Sequence, residues 1–464
     1  MDLHDILNLA GSTSDLRQKL SLGRLYGTLV TGHPDKIYDA IFLENLLVDH
    51  FSKLTFDLRI PHKLAAKEIL HIISEPYNTG GHTRLCEKLA AMEPEDSQLL
   101  ITRSIDEVAI KRLGKFFKFI DTSLNEDELE RIKDIFLKVL EYKKIILHIH
   151  PDDILTVIAV GLAKMSSEYL TVYFVNHADH VFSFGKSIAD KMFQISYRGY
   201  ETEAFIANKA YVNTFLGIPV DIGIKPVFSP LIKNIVIAGA SFKMKPTLKI
   251  SIQKQLFLFL KEKKNVNLKV IGCNYSDYWW WALKVRFPMR VDLYRSLPYD
   301  KYIELINTCD SCIDTAPVTG GTAFVELYLN SLRPIAIKSG IYGYTPLDKI
   351  RLTSLIDFSE YKDNDLDELF EDVKRVHGVE AVKTRYLDGL QGKIHEVDYS
   401  LSSIPNDMEL FDRKSKARLS IQNYTDLKRL TVISNFQKLN LLITNFFLFE
   451  ASLRFLLIIK RKCF

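Results

Sequence analysis

The sequence predicts an α/β protein with two doubly wound parallel sheets. Apolar strands alternate with amphipathic helices from Ile69 to Asn176, and the same alternation starts again at Asn234. A segment with three prolines and two glycines, residues 216–233, separates the two runs. Each run contains a glycine pair between a strand and a helix. Because strands that alternate with helices pair in parallel, we expect one such sheet from each run.

The first half of the chain is assigned from this alternation. Residues 1–64 have the apolar spacing of helices and are predicted to form a helical extension, which either packs on the first domain or presents a partner surface. A Rossmann-like domain is predicted over residues 65–217. Its expected strands are 69–74, 98–102, 116–121, 144–148 and 170–176, with helices at 82–92, 127–142 and 151–165. Beyond these we predict a helix over 181–193, a short strand at 194–197 and a helix over 201–215.

The second half repeats the pattern. Residues 218–233 form the predicted linker, and a second Rossmann-like domain is expected over residues 234–385. Its strands are expected at 234–240, 268–272, 291–296, 311–316, 334–338 and 352–358. Residues 386–464 are predicted to be a C-terminal helical segment. Charged residues interrupt its apolar end, which argues against a membrane-spanning helix. Two alternatives remain, a helix packed on the first domain or a helix at a membrane surface.

The composition limits the classes of function. The 61 basic and 57 acidic residues give a net charge of +4, and no basic run is interleaved with aromatic residues, so a nucleic-acid partner is not expected. Five cysteines in a chain of 464 residues do not form a disulfide framework, and the odd number fits a reducing compartment. The N-terminal residues carry acids where a signal peptide would carry bases. We therefore predict a cytoplasmic protein.

The glycine-pair turn of the second half has the chemistry of an anion site. It follows the apolar strand at 311–316 and precedes a predicted helix that begins with Thr322. Gly320 and Gly321 let the backbone approach a bound group, Thr322 can cap the helix, and the free N–H groups at a helix start favour a phosphate. Glu326, four residues further on, can reach a sugar hydroxyl beside that phosphate. The turn therefore predicts a nucleotide or phosphate ligand.

Three stretches of the sequence together resemble GT-B fold glycosyltransferases that use nucleotide-sugar donors, as in families 1 and 4 and in bacterial glycan assembly. They are HIISEPYNTGGHTRLCEKLA, VIAGASFKMKP and DTAPVTGGTAFVELYL, within a similarity that runs from Glu68 to Phe358. The resemblance implies two Rossmann-like domains facing a cleft, the acceptor domain first and the donor nucleotide domain second. It also implies the donor-binding residues, which are Gly80, Gly81, Lys243, Lys245, Thr319, Gly320, Gly321, Thr322 and Glu326.

The same resemblance implies the reaction. The two lysines and the helix starts would neutralise the diphosphate leaving group, so no metal ion and no cofactor besides the donor is expected. The Glu-x7-Glu pattern of many retaining members is absent, because Val318 occupies its first position, and the stereochemistry stays open. The expected function is transfer of a hexosyl or N-acetylhexosaminyl group to a glycan or lipid-linked saccharide in surface polysaccharide synthesis. The expected place is the cytoplasm, at the inner face of the membrane if the C-terminal segment binds there.

Two other functions remain open at this point. A non-hydrolysing nucleotide-sugar epimerase also places a diphosphate between two such domains, and a non-catalytic sugar-binding protein can keep the same scaffold. The presence of Lys243, Lys245 and Glu326 argues against the binding protein. A dinucleotide oxidoreductase is not favoured, because neither glycine pair belongs to a G-x-G-x-x-G motif.

A transferase needs a group that positions or deprotonates the acceptor hydroxyl, commonly a histidine or a carboxylate. His82 follows the first glycine turn, and His177 and His180 follow a predicted strand, so these three are the candidate catalytic residues. The alternative for each is a structural role at a helix start. His148 and His150 also follow a strand, and with His177 and His180 they could form a zinc site, although no spacing requires it.

The tryptophans at positions 279 to 281 are consecutive and cannot share one face of a helix. We expect at least one of them in the core and another at the surface.

Overall fold

The computed structural model describes residues 2–32, 37–53, 67–78, 81–94, 97–274, 276–360, 363–402 and 421–445. The chain divides into two compact units. Unit 1 comprises Met1–Gln194, Glu201–Thr214 and Arg413–Phe464, and unit 2 comprises Ile195–Tyr200 and Phe215–Asp412. Both ends of the described chain therefore belong to unit 1.

The sheet of unit 1 has seven strands in the described chain. They are β1 (Lys67–Ile73), β2 (Gln98–Ile101), β3 (Phe119–Thr122), β4 (Tyr142–His148), β5 (Thr171–Asn176), β6 (Lys191–Gln194) and β7 (Val212–Phe215). Their order is β3-β2-β1-β4-β5-β6-β7, and the neighbouring strands from β3 to β6 pair in parallel. The strand order reverses between β1 and β4. In a doubly wound sheet, ligands bind at the carboxyl ends of the strands at such a point.

Eight helices accompany these strands in the described residues. They are α1 (Leu3–Ser12), α2 (Leu16–Gly32), α3 (Ile41–Ser52), α4 (Gly81–Ala90), α5 (Glu107–Leu113), α6 (Glu128–Val139), α7 (Ile154–Ser166) and α8 (Tyr197–Glu203). Every residue of α7 from Ile154 to Ala163 is buried, which explains why its sequence is apolar on all faces. The N-terminal helices pack on the same core, and the fully buried Glu44 of α3 accepts hydrogen bonds from the backbone N–H groups of Gly185 and Ser187 at 3.1 and 2.9 Å.

The sheet of unit 2 has six strands in the described chain, and it repeats the same plan. They are β8 (Asn234–Ala238), β9 (Asn267–Ile271), β10 (Val291–Tyr294), β11 (Ser311–Ile313), β12 (Arg333–Ile337) and β13 (Arg351–Leu352). Their order is β10-β9-β8-β11-β12-β13, with parallel pairing throughout. The order reverses between β8 and β11, so the loops after these two strands lie at the second point where a ligand is expected.

The helices of unit 2 lie between these strands and after them. They are α9 (Ile252–Glu262), α10 (Trp281–Arg286), α11 (Tyr299–Ile306), α12 (Thr322–Leu329), α13 (Asp363–His377), α14 (Val379–Leu390) and α15 (Tyr399–Ser402). Short 3₁₀ turns occur at Ser241–Met244, Tyr278–Trp280, Pro346–Ile350 and Leu355–Glu360. Trp280 is fully buried and Trp281 is 58% exposed, as expected for consecutive tryptophans.

Two further helices return the chain to unit 1. They are α16 (Ile421–Arg429) and α17 (Asn435–Asn445). The buried carboxylate of Asp426 in α16 accepts two hydrogen bonds from the guanidinium of Arg24 in α2, at 2.5 and 2.9 Å, and a third from the hydroxyl of Ser21 at 3.1 Å. Within the predicted C-terminal segment, residues 421–445 therefore belong to unit 1, whereas residues 386–402 belong to unit 2. The predicted membrane-surface contact concerns the apolar end at 434–464, of which residues 446–464 lie outside the described residues, and it stays a prediction.

The predicted fold class, two α/β domains with doubly wound parallel sheets, is confirmed, and four local predictions are wrong. The strand predicted at 194–197 is β6, at Lys191–Gln194, and Tyr197 already begins α8. Residues 181–190 form turns instead of a helix, because Phe182 and Phe184 are both buried and Gly185 has a φ of +105°. The predicted helix over 201–215 is divided into the end of α8 and strand β7. The predicted strand at 352–358 is only the end of β13, followed by a 3₁₀ turn.

Among the helices of the described ranges, none has both the length and the apolar character needed to cross a bilayer.

Candidate active site

The glycine-pair turn of unit 2 is built around one carboxylate. Asp314 follows β11 directly, and its Oδ1 accepts hydrogen bonds from the backbone N–H groups of Thr315 and Gly320 at 2.8 and 2.7 Å. Its Oδ2 accepts a hydrogen bond from the hydroxyl of Thr319 at 2.6 Å. A Cβ at Gly320 would lie 2.8 Å from Oδ1, so only glycine allows this close approach. The turn is therefore fixed by the side chain that precedes it.

The buried guanidinium of Arg351 forms an ion pair with the carboxylate of Asp314. Nη2 of Arg351 lies 2.6 Å from Oδ2 of Asp314 and 2.5 Å from Oδ1 of Asp348, and all three side chains are at most 2% exposed. Burial opposes the charged guanidinium, but the two carboxylates outweigh it and raise the pKa of Arg351. Burial raises the pKa of Asp348, and Arg351 counteracts part of that effect. A closed ion network thus holds the turn in one conformation.

Lys243 is joined to the same turn. Its Nζ donates a hydrogen bond to the carbonyl oxygen of Thr319 at 3.0 Å, and its own carbonyl oxygen accepts one from the N–H of Val318 at 3.2 Å. Burial lowers the pKa of Lys243. Since Lys243 follows β8 and Thr319 follows β11, the structure brings together two of the predicted donor-binding positions where the strand order reverses.

The start of α12 lies beside this lysine. Gly321, with a φ of +59°, is the N-cap residue, and no side chain caps the helix. The prediction that Thr322 caps α12 is therefore wrong, because Thr322 is already the first helical residue. Within the described chain, no acceptor is recorded for the N–H groups of Thr322 and Ala323. Such N–H groups can bind an anion.

The remaining predicted donor-binding residues are Glu326 and Lys245 in unit 2 and Gly80 and Gly81 in unit 1. Glu326 lies on α12 close to Tyr302, and burial together with the Glu326 carboxylate raises the pKa of that tyrosine. Nζ of Lys245 lies 5.8 Å from the ring centroid of Trp279 and not in the turn. In unit 1, Gly81 is the first residue of α4, whereas Gly80 lies outside the described residues. Donor binding by these residues stays a prediction.

The histidines of unit 1 form a chain of hydrogen bonds at the sheet. Nδ1 of His71 lies 3.0 Å from Nε2 of His148, and Nδ1 of His148 lies 2.9 Å from Nε2 of His177. At the other end, Nε2 of His71 lies 2.8 Å from Oε1 of Glu93. The hydroxyl of Ser97 donates a hydrogen bond to the second oxygen of this carboxylate. His71 and His148 are fully buried, and His177 is half-buried.

The register of the sheet explains why these side chains meet. Ile73 of β1 lies opposite His148 of β4, and His71 lies opposite Ile146, so both histidines are on one face of neighbouring strands. His177 follows the next strand, β5, and continues the row at the carboxyl edge. Burial lowers the pKa of His148 and of His177 well below the usual value, and neighbouring histidines add to the effect.

The imidazole of His82 contacts both the backbone of His148 and the ring of His177. Its Nε2 donates a hydrogen bond to the carbonyl oxygen of His148 at 2.9 Å, and its ring centroid lies 4.4 Å from that of His177. Burial lowers the pKa of His82 to about 4. Its Nδ1 is buried and has no hydrogen-bond partner in the described chain. The structure thus brings together two of the three predicted catalytic histidines, His82 and His177.

His180, the third candidate, contacts an aspartate. Its Nδ1 is 3.2 Å from Oδ1 of the buried Asp179. Nδ1 of His150 is 2.6 Å from Oδ1 of Asp152. The four-histidine zinc site suggested by the sequence is therefore not assembled. A different group, His71, Cys86 and His148, has one ligand atom from each residue within 4.8 Å of the others, all buried.

His71 and Glu93 were missed by the sequence reasoning. His71 stands in the middle of an apolar strand, and Glu93 follows α4 by three residues. A polar residue inside a buried strand is itself a signal, because such a residue needs a partner. The identity of that partner depends on the strand register, which the sequence does not supply.

Structural comparison relates the fold to solved glycosyltransferases. The apo form of the lipopolysaccharide outer core galactosyltransferase WaaB matches with a TM-score of 0.52 and 16% identity, over 70% of this chain and 100% of that chain. HepE of Anabaena, solved in complex with UDP-glucose, matches with a TM-score of 0.52 and 12% identity, over 70% of this chain and 100% of that chain. A glycosyltransferase from Rickettsia africae matches with a TM-score of 0.51 and 13% identity, over 70% and 98% of the two chains.

No protein-family model and no curated protein matches the sequence. At identities of 12 to 16%, the structural likeness establishes the fold alone. That fold is GT-B, as the resemblance of the three sequence stretches predicted.

Proposed function

We propose that the chain is a glycosyltransferase that moves a sugar from a nucleoside diphosphate sugar to a hydroxyl acceptor. The proposal is carried by the contact between Lys243 and Thr319, 3.0 Å long, which puts an amine beside the uncapped start of α12. This arrangement lies where the strand order of unit 2 reverses, on a fold shared with solved glycosyltransferases.

The chemistry of the leaving group supports this proposal. Breaking the bond between the sugar and the phosphate leaves negative charge on the nucleoside diphosphate, so a donor site needs fixed positive potential at that point. The amine of Lys243 and the N–H groups of Thr322 and Ala323 provide such potential without a metal ion. The ion network of Arg351 keeps these groups in place before the donor binds. We therefore assign the diphosphate to this turn and the ribose to Glu326.

The donor and acceptor are proposed at a coarser level. HepE of Anabaena was solved with UDP-glucose, which makes uridine diphosphate sugars the first donors to test. We propose a hexosyl or N-acetylhexosaminyl group as the transferred sugar and a glycan or lipid-linked saccharide as the acceptor. The reaction would take place in the cytoplasm and would serve polysaccharide synthesis, since WaaB is a lipopolysaccharide galactosyltransferase. Contact with a membrane surface would come from the apolar C-terminal end.

The decisive experiment is a thermal-shift panel with UDP, GDP, CMP and their sugars. The tryptophans at 279–281 all lie in unit 2, so intrinsic fluorescence follows the unit that carries the proposed donor site. A nucleoside diphosphate at a hundred times its Kd stabilises the protein by about 2.7 kcal/mol. For a domain of this size, that raises Tm by roughly 5 to 10 °C. Glu326→Ala should abolish the shift, whereas Glu304→Gln, at an exposed ion pair of the same unit, should leave it unchanged.

Two outcomes would contradict the proposal. A shift with NAD and none with any nucleoside diphosphate would point to an oxidoreductase. Conversion of a nucleotide sugar into its epimer in the absence of any acceptor, followed by NMR of the sugar ring, would point to the epimerase.

A further inference from the structure

The hydrogen bonds along the row of His71, His148 and His177 in unit 1 all donate in the same direction, which is determined by the carboxylate of Glu93 at one end. An ionised carboxylate only accepts hydrogen bonds, so Nε2 of His71 carries a proton and donates it to Glu93. In a neutral imidazole the other nitrogen then accepts, which makes Nε2–H of His148 the donor to Nδ1 of His71. By the same rule, Nε2–H of His177 donates to Nδ1 of His148.

The row therefore ends in a free lone pair. Nδ1 of His177 is the acceptor nitrogen of a neutral imidazole, and no group of the described chain forms a hydrogen bond with it. His177 follows β5 at the carboxyl edge of the sheet and keeps part of its surface in solvent. The opposite end, at Glu93, has a side chain only 1% exposed. A buried carboxylate is thus connected through three hydrogen bonds to a basic nitrogen at the edge where a substrate binds.

We propose that His177 is the general base of the transfer reaction, and that Glu93, His71 and His148 are positioning residues that fix its tautomer and stabilise its protonated form. This inference rests on the proposed function. In the reaction, the acceptor hydroxyl gives its proton to Nδ1 of His177 while its oxygen bonds the anomeric carbon. The bond from that carbon to the phosphate oxygen breaks, and the nucleoside diphosphate leaves with the electron pair.

The proton is then shared along the row. Nε2–H of His177 can pass its proton to His148, His148 can pass one to His71, and His71 can pass one to Glu93, each across one existing hydrogen bond. The net result is a neutral carboxyl at Glu93 and a neutral His177, so the positive charge does not remain on the half-buried imidazole. After the products leave, the reverse sequence restores the starting state. Displacement with a base on the acceptor implies inversion at the anomeric carbon.

A metal ion bound by His71, Cys86 and His148 is the rival explanation of this cluster. Two nitrogen ligands of one tetrahedral zinc lie about 3.3 Å apart, from bond lengths of about 2.0 Å. Nδ1 of His71 and Nε2 of His148 are 3.0 Å apart, which is the distance of a hydrogen bond. The site is fully buried, and the described chain supplies no fourth ligand atom to the group. The relay accounts for every nitrogen of the row without an ion.

The first test measures activity in three variants. We expect His177→Gln to lower kcat by about 10² to 10⁴, the usual contribution of a general base, with KM for the donor little changed. Glu93→Gln should lower kcat about tenfold or more and move the acidic limb of the pH profile to lower pH, because the protonated base loses its counter-charge. His50→Gln is the control, since His50 of α3 bonds only the carbonyl oxygen of Leu46 in the described chain and lies outside the row.

The pH profile is interpreted as a difference between Glu93→Gln and the unmodified chain. Other titratable groups surround the row, and they are unchanged by the substitution: His82 and Cys86 of α4, Glu75 and Tyr77 before α4, His150 after β4, and Asp179 and His180 after β5. An acidic limb that does not move in Glu93→Gln, together with an unchanged kcat, would overturn the relay and leave the transferase proposal intact. A product that retains the anomeric configuration would have the same effect.

The second test does not depend on activity. In protein labelled with ¹⁵N-histidine, the signals of His71, His148 and His177 should be those of neutral rings protonated at Nε2, assigned by loss of each signal in the matching His→Gln variant. Such a pattern without turnover of any nucleotide sugar would overturn the transferase proposal and the role of His177 as base together. Stoichiometric zinc that is lost in Cys86→Ser would overturn the relay in favour of the metal site.

Discussion

Replacement of Asp314 by asparagine tests how the glycine-pair turn of unit 2 is held. The carboxylate accepts two backbone N–H groups and a hydroxyl within 2.6 to 2.8 Å, and it pairs with Arg351 at 2.6 Å. In Asp314→Asn, an amide NH₂ replaces one carboxylate oxygen and faces groups that are themselves hydrogen-bond donors. The buried guanidinium of Arg351 then keeps only Asp348 as a counter-charge. Removing one partner of a buried ion pair costs about 3 to 5 kcal/mol. We expect the free energy of unfolding of unit 2 to fall by that amount.

The assay is urea unfolding followed by tryptophan fluorescence. Trp280 is fully buried in the core of unit 2, so its emission reports the unfolding of that unit. Glu304→Gln is the matched control, because its partner Lys301 is 65% exposed and such pairs contribute at most about 1 kcal/mol. Equal midpoints for Asp314→Asn and the control would refute the account of the turn. Adding Arg351→Met to Asp314→Asn should lower the stability further, since the buried carboxylate of Asp348 then lacks its counter-charge.

Two further predictions concern unit 2. Lys243→Met should weaken binding of a nucleoside diphosphate by about tenfold to a hundredfold, because one charge-assisted hydrogen bond is lost. Lys301→Met, at an exposed ion pair, should leave the binding unchanged. Equal Kd values for Lys243→Met and the unmodified chain, measured by calorimetry, would remove Lys243 from the site. Burial lowers the pKa of His377 from 6.5 to about 4, so the unfolded state binds the proton more readily than the folded state. The free energy of unfolding therefore falls as the pH falls through that interval, by about 3 kcal/mol at pH 4. His377→Gln should remove that part of the loss between pH 7 and pH 4 in the same urea assay, and an identical pH dependence in both proteins would contradict this assignment.

The sequence was sufficient for most of the fold because its signals are local. Strands such as β5 and β8 each contain four consecutive apolar residues, and α12 follows a glycine pair, so each is recognised without knowledge of its neighbours. Residues 181–190 were predicted as helix, whereas the rings of Phe182 and Phe184, two positions apart, are both buried in the core of unit 1. Tertiary packing overrides local preference in such a segment.

The candidate site was predictable only in part. The glycine pair was proposed from the sequence because it lies between an apolar strand and a helix, and Lys243 was proposed because its stretch resembles GT-B glycosyltransferases. The role of Asp314 was missed, since only its folded partners show that it holds the turn. The same holds for His71, which became significant once the register of β1 and β4 placed it beside His148. Contacts between residues far apart in sequence carry no local signal.

The packing of α16 against α2 determines the order in which the protein can fold during synthesis. Arg24 emerges from the ribosome early, but Asp426, one of its two counter-charges, is made some 400 residues later, after all of unit 2. Until then Arg24 has Glu128 but not Asp426 as a carboxylate partner, and the apolar face on which Leu427 and Leu430 will pack is uncovered. The second Rossmann unit, nearly contiguous in sequence, can fold before the first is complete. A fragment that stops before residue 421 would therefore give an intact unit 2 and a unit 1 prone to aggregation.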